Sequence, residues 1–289
     1  MASRWKLVLV AACCLAAAGC DWKPVNVSSK LTHDDVLAKA GLNNYWQLDL
    51  QLPRGEKVTR LVLIEENLYC MTSSNWLLAV DAASGVRKWS YKVADRGVKV
   101  FSPCHGTKVA IDPNHVGIRK VQFPLAPDLL PKRELVMINT PDYLLALDRA
   151  TGQLVREIRF DAPGPTQFVA NTGGCCDNTY FYVGTLTGEI KSIRLNEGVI
   201  AWGYLAGSIM SSAPQCWTAP GTAPRIYVAT GDGDFTVLKS GLVASTIWPL
   251  PGAKAWPEMA GAVVAKMHVD DRAAFVPCLN QRVYAFGLA

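Results

Sequence analysis

Trp76-Leu-Leu-Ala-Val-Asp81-Ala-Ala-Ser-Gly85-Val-Arg-Lys-Trp89 is the stretch that decides the fold, because the chain repeats it. It returns as Tyr143-Leu-Leu-Ala-Leu-Asp148-Arg-Ala-Thr-Gly152-Gln-Leu-Val-Arg156, and more loosely as Glu189-Ile-Lys-Ser-Ile-Arg194-Leu-Asn-Glu-Gly198-Val-Ile-Ala-Trp202. Phe235-Thr-Val-Leu-Lys-Ser-Gly241, with Trp248 further on, is a fourth copy, and Arg282-Val-Tyr284-Ala-Phe286-Gly287 a fifth that the C-terminus cuts short. Each copy reads as a strand, a tight turn and the start of another strand. The aspartate side chain caps its own turn, and the glycine takes the positive φ that other residues resist.

A second apolar strand, ending in a small residue or threonine, precedes every copy: Leu68–Thr72, Leu135–Thr140, Tyr180–Thr185, Ile226–Thr230 and Ala274–Cys278. Adjacent strands of this kind make a sheet face that cannot bury itself, and stacking such sheets does bury it. A repeat period in the forties with this content predicts the four-stranded blades of an all-β propeller. The turn glycines Gly85, Gly152, Gly198, Gly241 and Gly287 lie 67, 46, 43 and 46 residues apart, so the first gap carries about 21 extra residues. Asp112–Arg133, with prolines at 113, 124, 127 and 131, is the expected insertion. Five blades result, or six if residues 97–124 form a degenerate one. Asn44-Tyr-Trp46-Gln-Leu-Asp-Leu50 has the texture of an orphan fourth strand and is expected to complete the last blade and close the ring.

The repeat resembles the quinoprotein-like (PQQ-type) propeller repeat, roughly Leu-Tyr-Ala-Leu-Asp-x-x-Thr-Gly-x-x-x-Trp. Asp81, Gly85 and Trp89 match best. Asp148 and Gly152 match with Arg156 in place of the tryptophan, and Gly198 and Trp202 match with Arg194 in place of the aspartate. The resemblance spans about residues 45–289 and implies that Trp89 and Trp202 dock between neighbouring sheets.

The N-terminus reads as a signal. Met1–Lys6 carries Arg4 and Lys6, Leu7–Ala18 is an unbroken apolar run too short to span a bilayer, and Ala17-Ala18-Gly19 precedes Cys20. This resembles the bacterial lipobox, in which the cysteine becomes a lipidated N-terminus. An ordinary secretory signal is the alternative. Expected boundaries are a leader at 1–19, a tether with a short helix at 20–44, and the propeller at 45–289. Thr32-His33-Asp34-Asp35 resembles a capping box opening a helix through Ala40, stopped by Gly41. Asp21 resembles an inner-membrane retention signal, so the expected location is a periplasm-facing membrane, inner or outer.

Half of the residues are hydrophobic and 18% charged, which is globular composition. Loss of Arg4 and Lys6 takes the net charge from +5 to +3, and no Lys/Arg run exceeds two, so nucleic acid is not expected as a partner.

Cys13 and Cys14 leave with the leader and Cys20 is the lipid site, leaving Cys70, Cys104, Cys175, Cys176, Cys216 and Cys278. In an oxidising compartment these permit three disulfides in fifteen pairings, or free buried thiols. Cys104 and Cys216 are expected on first strands of different blades, and Cys175-Cys176 in a turn. Neighbouring cysteines resemble the vicinal disulfide of quinoprotein alcohol dehydrogenases, but those use eight blades, a calcium and an aspartate base. His33, His105, His115 and His268 show no metal-ligand spacing. Gly231-Asp232-Gly233-Asp234 reads as a hairpin rather than a calcium loop. Trp217, Trp248 and Trp256 are groove or packing candidates, and the proline-rich insertion a partner-binding loop.

No catalytic residue, metal or cofactor follows from these motifs. The expectation is a non-catalytic, lipid-anchored scaffold contacting an unidentified envelope protein. It is distantly similar to the propeller lipoprotein of the outer-membrane barrel-assembly machinery. A small quinone- or ligand-binding redox propeller is the alternative.

Overall fold

The computed structural model describes residues 34–111, 130–160, 167–219, 221–241, 243–248, 259 and 261–288. The leader, Cys20, the Thr32 cap and most of the proline-rich insertion lie outside them, as do His33, His115 and Trp256. The chain divides into two compact units, residues 1–47 and 48–289.

The first unit contains the helix α1 (Asp34–Lys39). It ends as expected at Gly41, whose φ is +71°. The Gly41 amide donates to the Ala38 carbonyl (3.0 Å) and the Leu42 amide to that of Leu37 (2.9 Å), a Schellman closure.

The second unit is all-β, five small antiparallel sheets arranged as the blades of a five-bladed β-propeller. Blade 1 comprises β1 (Val58–Ile64), β2 (Asn67–Thr72), β3 (Trp76–Asp81) and β4 (Arg87–Lys92). Blade 2 comprises β5 (Cys104–Ala110), β6 (Lys132–Asn139), β7 (Tyr143–Asp148) and β8 (Leu154–Arg159). Blade 3 comprises β9 (Ala170–Cys176), β10 (Tyr180–Thr185), β11 (Glu189–Arg194) and β12 (Val199–Leu205). Blade 4 comprises β13 (Gln215–Trp217), β14 (Arg225–Ala229), β15 (Phe235–Lys239) and β16 (Ser245–Trp248). Blade 5 has β17 (His268–Val269), β18 (Ala273–Cys278) and β19 (Arg282–Gly287). Five sheets settle the count against six.

The recurring threonines have a shared task. Thr72, Thr140, Thr185 and Thr230 are all buried, and each hydroxyl accepts a backbone N–H just beyond its strand, from Trp76, Tyr143, Glu189 and Asp234 at 3.1–3.2 Å. Each threonine thereby satisfies a donor at the turn between second and third strands.

Four apolar cores join consecutive blades. Tyr69, Met71, Leu77 and Ala79 meet Val136, Ile138, Leu145 and Leu147 between blades 1 and 2. Leu135, Met137 and Leu144 meet Phe181, Val183 and Ile193 between blades 2 and 3. Tyr182 and Ile190 meet Ile226, Val228 and Leu238 between blades 3 and 4, and Tyr227 and Phe235 meet Ala274 and Val276 between blades 4 and 5. Alternate residues of each middle strand therefore serve the two neighbouring cores, as a strand buried on both faces requires.

Three expectations are corrected. Residues 44–50 form no strand, and blade 5 has three strands among the described residues, so the expected closing strand is not part of that sheet. Asp49 accepts the Gln51 amide (2.9 Å) and Gln51 sits at φ +51°, a turn geometry that breaks extension there. The insertion ends earlier than Arg133, because Lys132 and Arg133 open β6. Cys175-Cys176 is not a turn but the end of β9, held by pairing of Cys175 with Tyr182 and Cys176 with Phe181.

Candidate functional site

The repeated turn builds the joints between blades. In blade 2 the Asp148 carboxylate accepts the amides of Ala150 (3.1 Å) and Thr151 (2.9 Å), and the Gly152 amide donates to the Asp148 carbonyl. Asp81 does the same for Ala83 and Ser84. The Ser84 amide and hydroxyl, with Lys88, pull its pKa down to about 2. Gly85, Gly152 and Gly198 all sit at φ +71°.

Onto the turns of blades 2, 3 and 4 the preceding blade lays one side chain. Trp89, buried, covers Gly152 and donates its indole N–H to the Arg149 carbonyl at 3.0 Å. Trp202 donates to the Gly241 carbonyl at 2.8 Å. Arg156, standing where the repeat has tryptophan, lies beside Gly198 and donates to the carbonyls of Leu195, Asn196 and Glu197 at 3.3, 2.7 and 2.9 Å. Trp89 and Trp202 thus each reach from one blade to the turn of the next, and a guanidinium does so at the blade 2–3 joint with more hydrogen bonds and less apolar surface.

A polar cluster missed by sequence reading caps the blade 1–2 joint. Arg149 pairs with Glu65 (2.6 Å), Glu66 (3.5 Å) and Glu134. His105, its side chain 5% exposed, bridges Glu65 (Nδ1, 3.2 Å) and the hydroxyl of buried Tyr69 (Nε2, 2.7 Å). Neutral His105 satisfies both neighbours if Nδ1–H donates to Glu65 and Nε2 accepts from Tyr69. Burial, with Arg149 adding to it, lowers the His105 pKa below its ordinary 6.5 despite Glu65. Tyr69 is held protonated well above the usual phenol range by burial. His105 and Arg149 lie 40 and 84 residues from Glu65 in the chain, so no local motif announces the cluster.

The cysteines divide by face. Cys175 and Cys216 belong to the blade 3–4 core, their sulfurs 2.9 Å apart, whereas Cys176 and Cys104 pack against the blade 2–3 core. All six described cysteines are free thiols. Burial raises the pKa of Cys104, Cys176 and Cys216 far above the thiol range, and Cys175 beside Cys216 adds to it there. Neighbours pointing to opposite faces of one strand do not make the vicinal disulfide of quinone enzymes. Cys70 and Cys278 are buried singly in blades 1 and 5.

The remaining candidates are structural. Gly233, at φ +90°, and Thr230 close the hairpin between β14 and β15, with the Gly233 amide donating to the Thr230 carbonyl. Trp217 packs against the blade 4–5 core. Among the described residues, no group of three His, Cys, Asp or Glu side chains is placed to hold a metal ion.

Exposed apolar side chains are spread over the blades, Leu154 of blade 2, Leu205 of blade 3 and Val243 of blade 4 among them, and blades 1 and 5 carry further ones. Leu61 and Leu63 of β1 pair with Cys70 and Leu68, on the face opposite Tyr69 and Met71, and are 59% and 64% exposed. Trp76, on the same face of β3, is 41% exposed. In blade 5, Phe275 and Val283 lie opposite the buried Ala274 and Val276 and are 36% and 66% exposed. Each is the face that has no neighbouring blade in the four cores.

Repeated aspartate–glycine turns under a docked tryptophan are what this propeller shares with the PQQ-like repeat. Consistently, residues 46–180 match the PQQ family described as glucose/ethanol/alcohol dehydrogenase, beta-propeller domain. No curated protein matches the chain. Among solved structures it is similar to BamB from Moraxella catarrhalis, at 14% identity and a TM-score of 0.51, covering 81% of this chain. It is similar also to BBS1N in complex with ARL6DN, at 13% identity and a TM-score of 0.54, covering 82% of this chain and 67% of that one. The chain spans 60% of the BamB length it matches. Such identities establish a shared fold.

Proposed function

We infer that this protein is a non-catalytic propeller tethered in the cell envelope, acting as a scaffold for another envelope protein. The observation that carries the reading is the apolar side chains left open on blade 1, Leu61 and Leu63 at 59% and 64% exposure on the same face as Trp76. Large exposed side chains grouped on one face mark interaction sites more often than chance. Acylation of Cys20, where two or more buried chains give durable anchoring, would hold the chain at a membrane. The fold shared with BamB supports a part in outer-membrane protein assembly. The alternative, a quinone-binding redox propeller, draws on the family match alone, and the opposed directions of Cys175 and Cys176 weigh against it.

The test is affinity capture from envelope membranes with the full lipidated chain and with Leu61→Glu/Leu63→Glu. A partner recovered by the parent chain and lost from the variant supports the scaffold. Identical recovery by both would remove Leu61 and Leu63 from the interface. A new absorbance band and a raised Tm on adding pyrroloquinoline quinone with calcium would favour the redox alternative.

A further inference from the structure

The geometry points to a disulfide between Cys175 and Cys216 that staples blade 3 to blade 4 through their first strands, with Cys175-Cys176 acting as two cysteines committed to different seams. Three observations meet here. The Cys175 and Cys216 sulfurs are 2.9 Å apart, within about 1 Å of the ~2.05 Å bond. Both flank one core, Cys175 paired with Tyr182 and Cys216 with Ile226, so the bond spans a seam already closed by packing. Cys176 turns to the opposite face with Phe181 and cannot compete for Cys216 without reversing the strand.

The step is thiol–disulfide exchange with a low-molecular-weight disulfide such as oxidised glutathione. The Cys216 thiolate, the less buried of the pair, attacks one glutathione sulfur, and that S–S bond breaks to release one glutathione. The Cys175 thiolate then attacks the Cys216 sulfur of the mixed disulfide, forming the protein S–S bond and releasing the second glutathione. Two protein thiols are oxidised, one glutathione disulfide is reduced to two thiols, and the two protons leave with them. Burial keeps the Cys216 thiol protonated, so exchange is slow, and the seam around the finished bond shields it from reductant.

The reaction is read on the full purified chain by mass spectrometry of tryptic peptides, before and after oxidised glutathione and without reduction. The expected product links the peptide carrying Cys175 and Cys176 to the one carrying Cys216, with fragment ions assigning Cys175. Cys176→Ser should keep the link, and Cys175→Ser and Cys216→Ser should abolish it. Oxidation of the parent chain should raise Tm by about 5–15 °C for a closed loop of this length, and reduction should reverse it. A Cys175–Cys176 link, a link from Cys176 to Cys216, or thiols at Cys175 and Cys216 that remain fully alkylatable after oxidation would overturn the assignment. Because fragment ions read the parent chain directly, the result stands even where a serine variant does not fold.

Discussion

Gly152→Ala, made alone and in a Trp89→Ala background, measures the joint between blades 1 and 2 in a way that separates packing from backbone strain. A Cβ on Gly152 would lie 2.5–2.7 Å from three atoms of the Trp89 ring, closer than any real contact allows. The residue also sits at φ +71°, where a non-glycine side chain costs about 1–2 kcal/mol. Forcing the indole to move adds about 1–3 kcal/mol of overpacking, so Gly152→Ala alone should cost about 2–5 kcal/mol. Trp89→Ala alone should cost about 3–5 kcal/mol, since the ring is buried and its N–H bond to Arg149 is lost with it.

The two effects should not add. Once the indole is gone, the three closest contacts of the new methyl group go with it, and chiefly the backbone cost remains. The coupling is therefore about 1–3 kcal/mol, read from urea unfolding of all four proteins by far-ultraviolet circular dichroism. Gly97→Ala supplies the control, because its φ is +91° and no atom lies within 4 Å of the added Cβ; it should cost the backbone share alone. Gly152→Ala losses that are equal in both backgrounds, or no larger than those of Gly97→Ala, would refute the docking geometry.

At the next joint, Arg156→Ala should lower stability by about 2 kcal/mol through three lost guanidinium–carbonyl bonds. Arg156→Trp should restore most of that loss in urea titrations, since the repeat elsewhere seats an indole there. His105 is a base whose folded pKa is depressed, so the unfolded chain binds the proton more tightly below pH 6.5. Its contribution to stability is thus complete above 6.5 and declines as pH falls toward the folded value, with Glu65, Glu66, Arg149 and Tyr69 as the groups facing it. His105→Gln should flatten stability against pH in that window while leaving the steeper loss below pH 4, where Asp81 and Glu56 protonate. Leu61→Glu/Leu63→Glu should abolish partner capture while changing unfolding free energy by less than about 1 kcal/mol, because neither side chain is buried.

The parts of the fold legible in the sequence are those whose physics is local. Asp81 and Gly85 sit four residues apart because one turn needs an acceptor and a positive φ, and a motif that short survives repetition. The strand-ending threonines were legible as a pattern, although their bond to a backbone amide across the turn shows only in three dimensions. Cys175-Cys176 misled because Asp177 and Asn178 directly follow, and turn residues pull the eye one step early; the register with Phe181 and Tyr182 decides that both cysteines remain in the strand. Residues 44–50 misled for the converse reason: a tryptophan amid alternating residues looks like a blade edge, but the Asp49–Gln51 turn interrupts it. The His105–Glu65–Arg149 cluster could not be read at all, since its members come from different blades and share no spacing.

Arg156 shows why the repeat tolerates drift and where function can enter. From blade 1 to blade 4 each blade is fixed to the next by one side chain lying on one turn, so the joint requires a flat group reaching main-chain carbonyls, which indole and guanidinium both supply. Interior blades spend both sheet faces on such joints and their cores, leaving little freedom for new surface chemistry. The outward faces of blades 1 and 5 take no part in the four cores, and that of blade 1 is buried at Cys70, Leu78 and Val80 but open at Leu61 and Leu63. Leu61, Leu63 and Val283 cost solubility without contributing core, and selection for folding alone would favour polar side chains in their place. On blade 1 two of them stand on one face of a single strand, Leu61 and Leu63 of β1, and that local grouping is what ties the scaffold reading to this molecule.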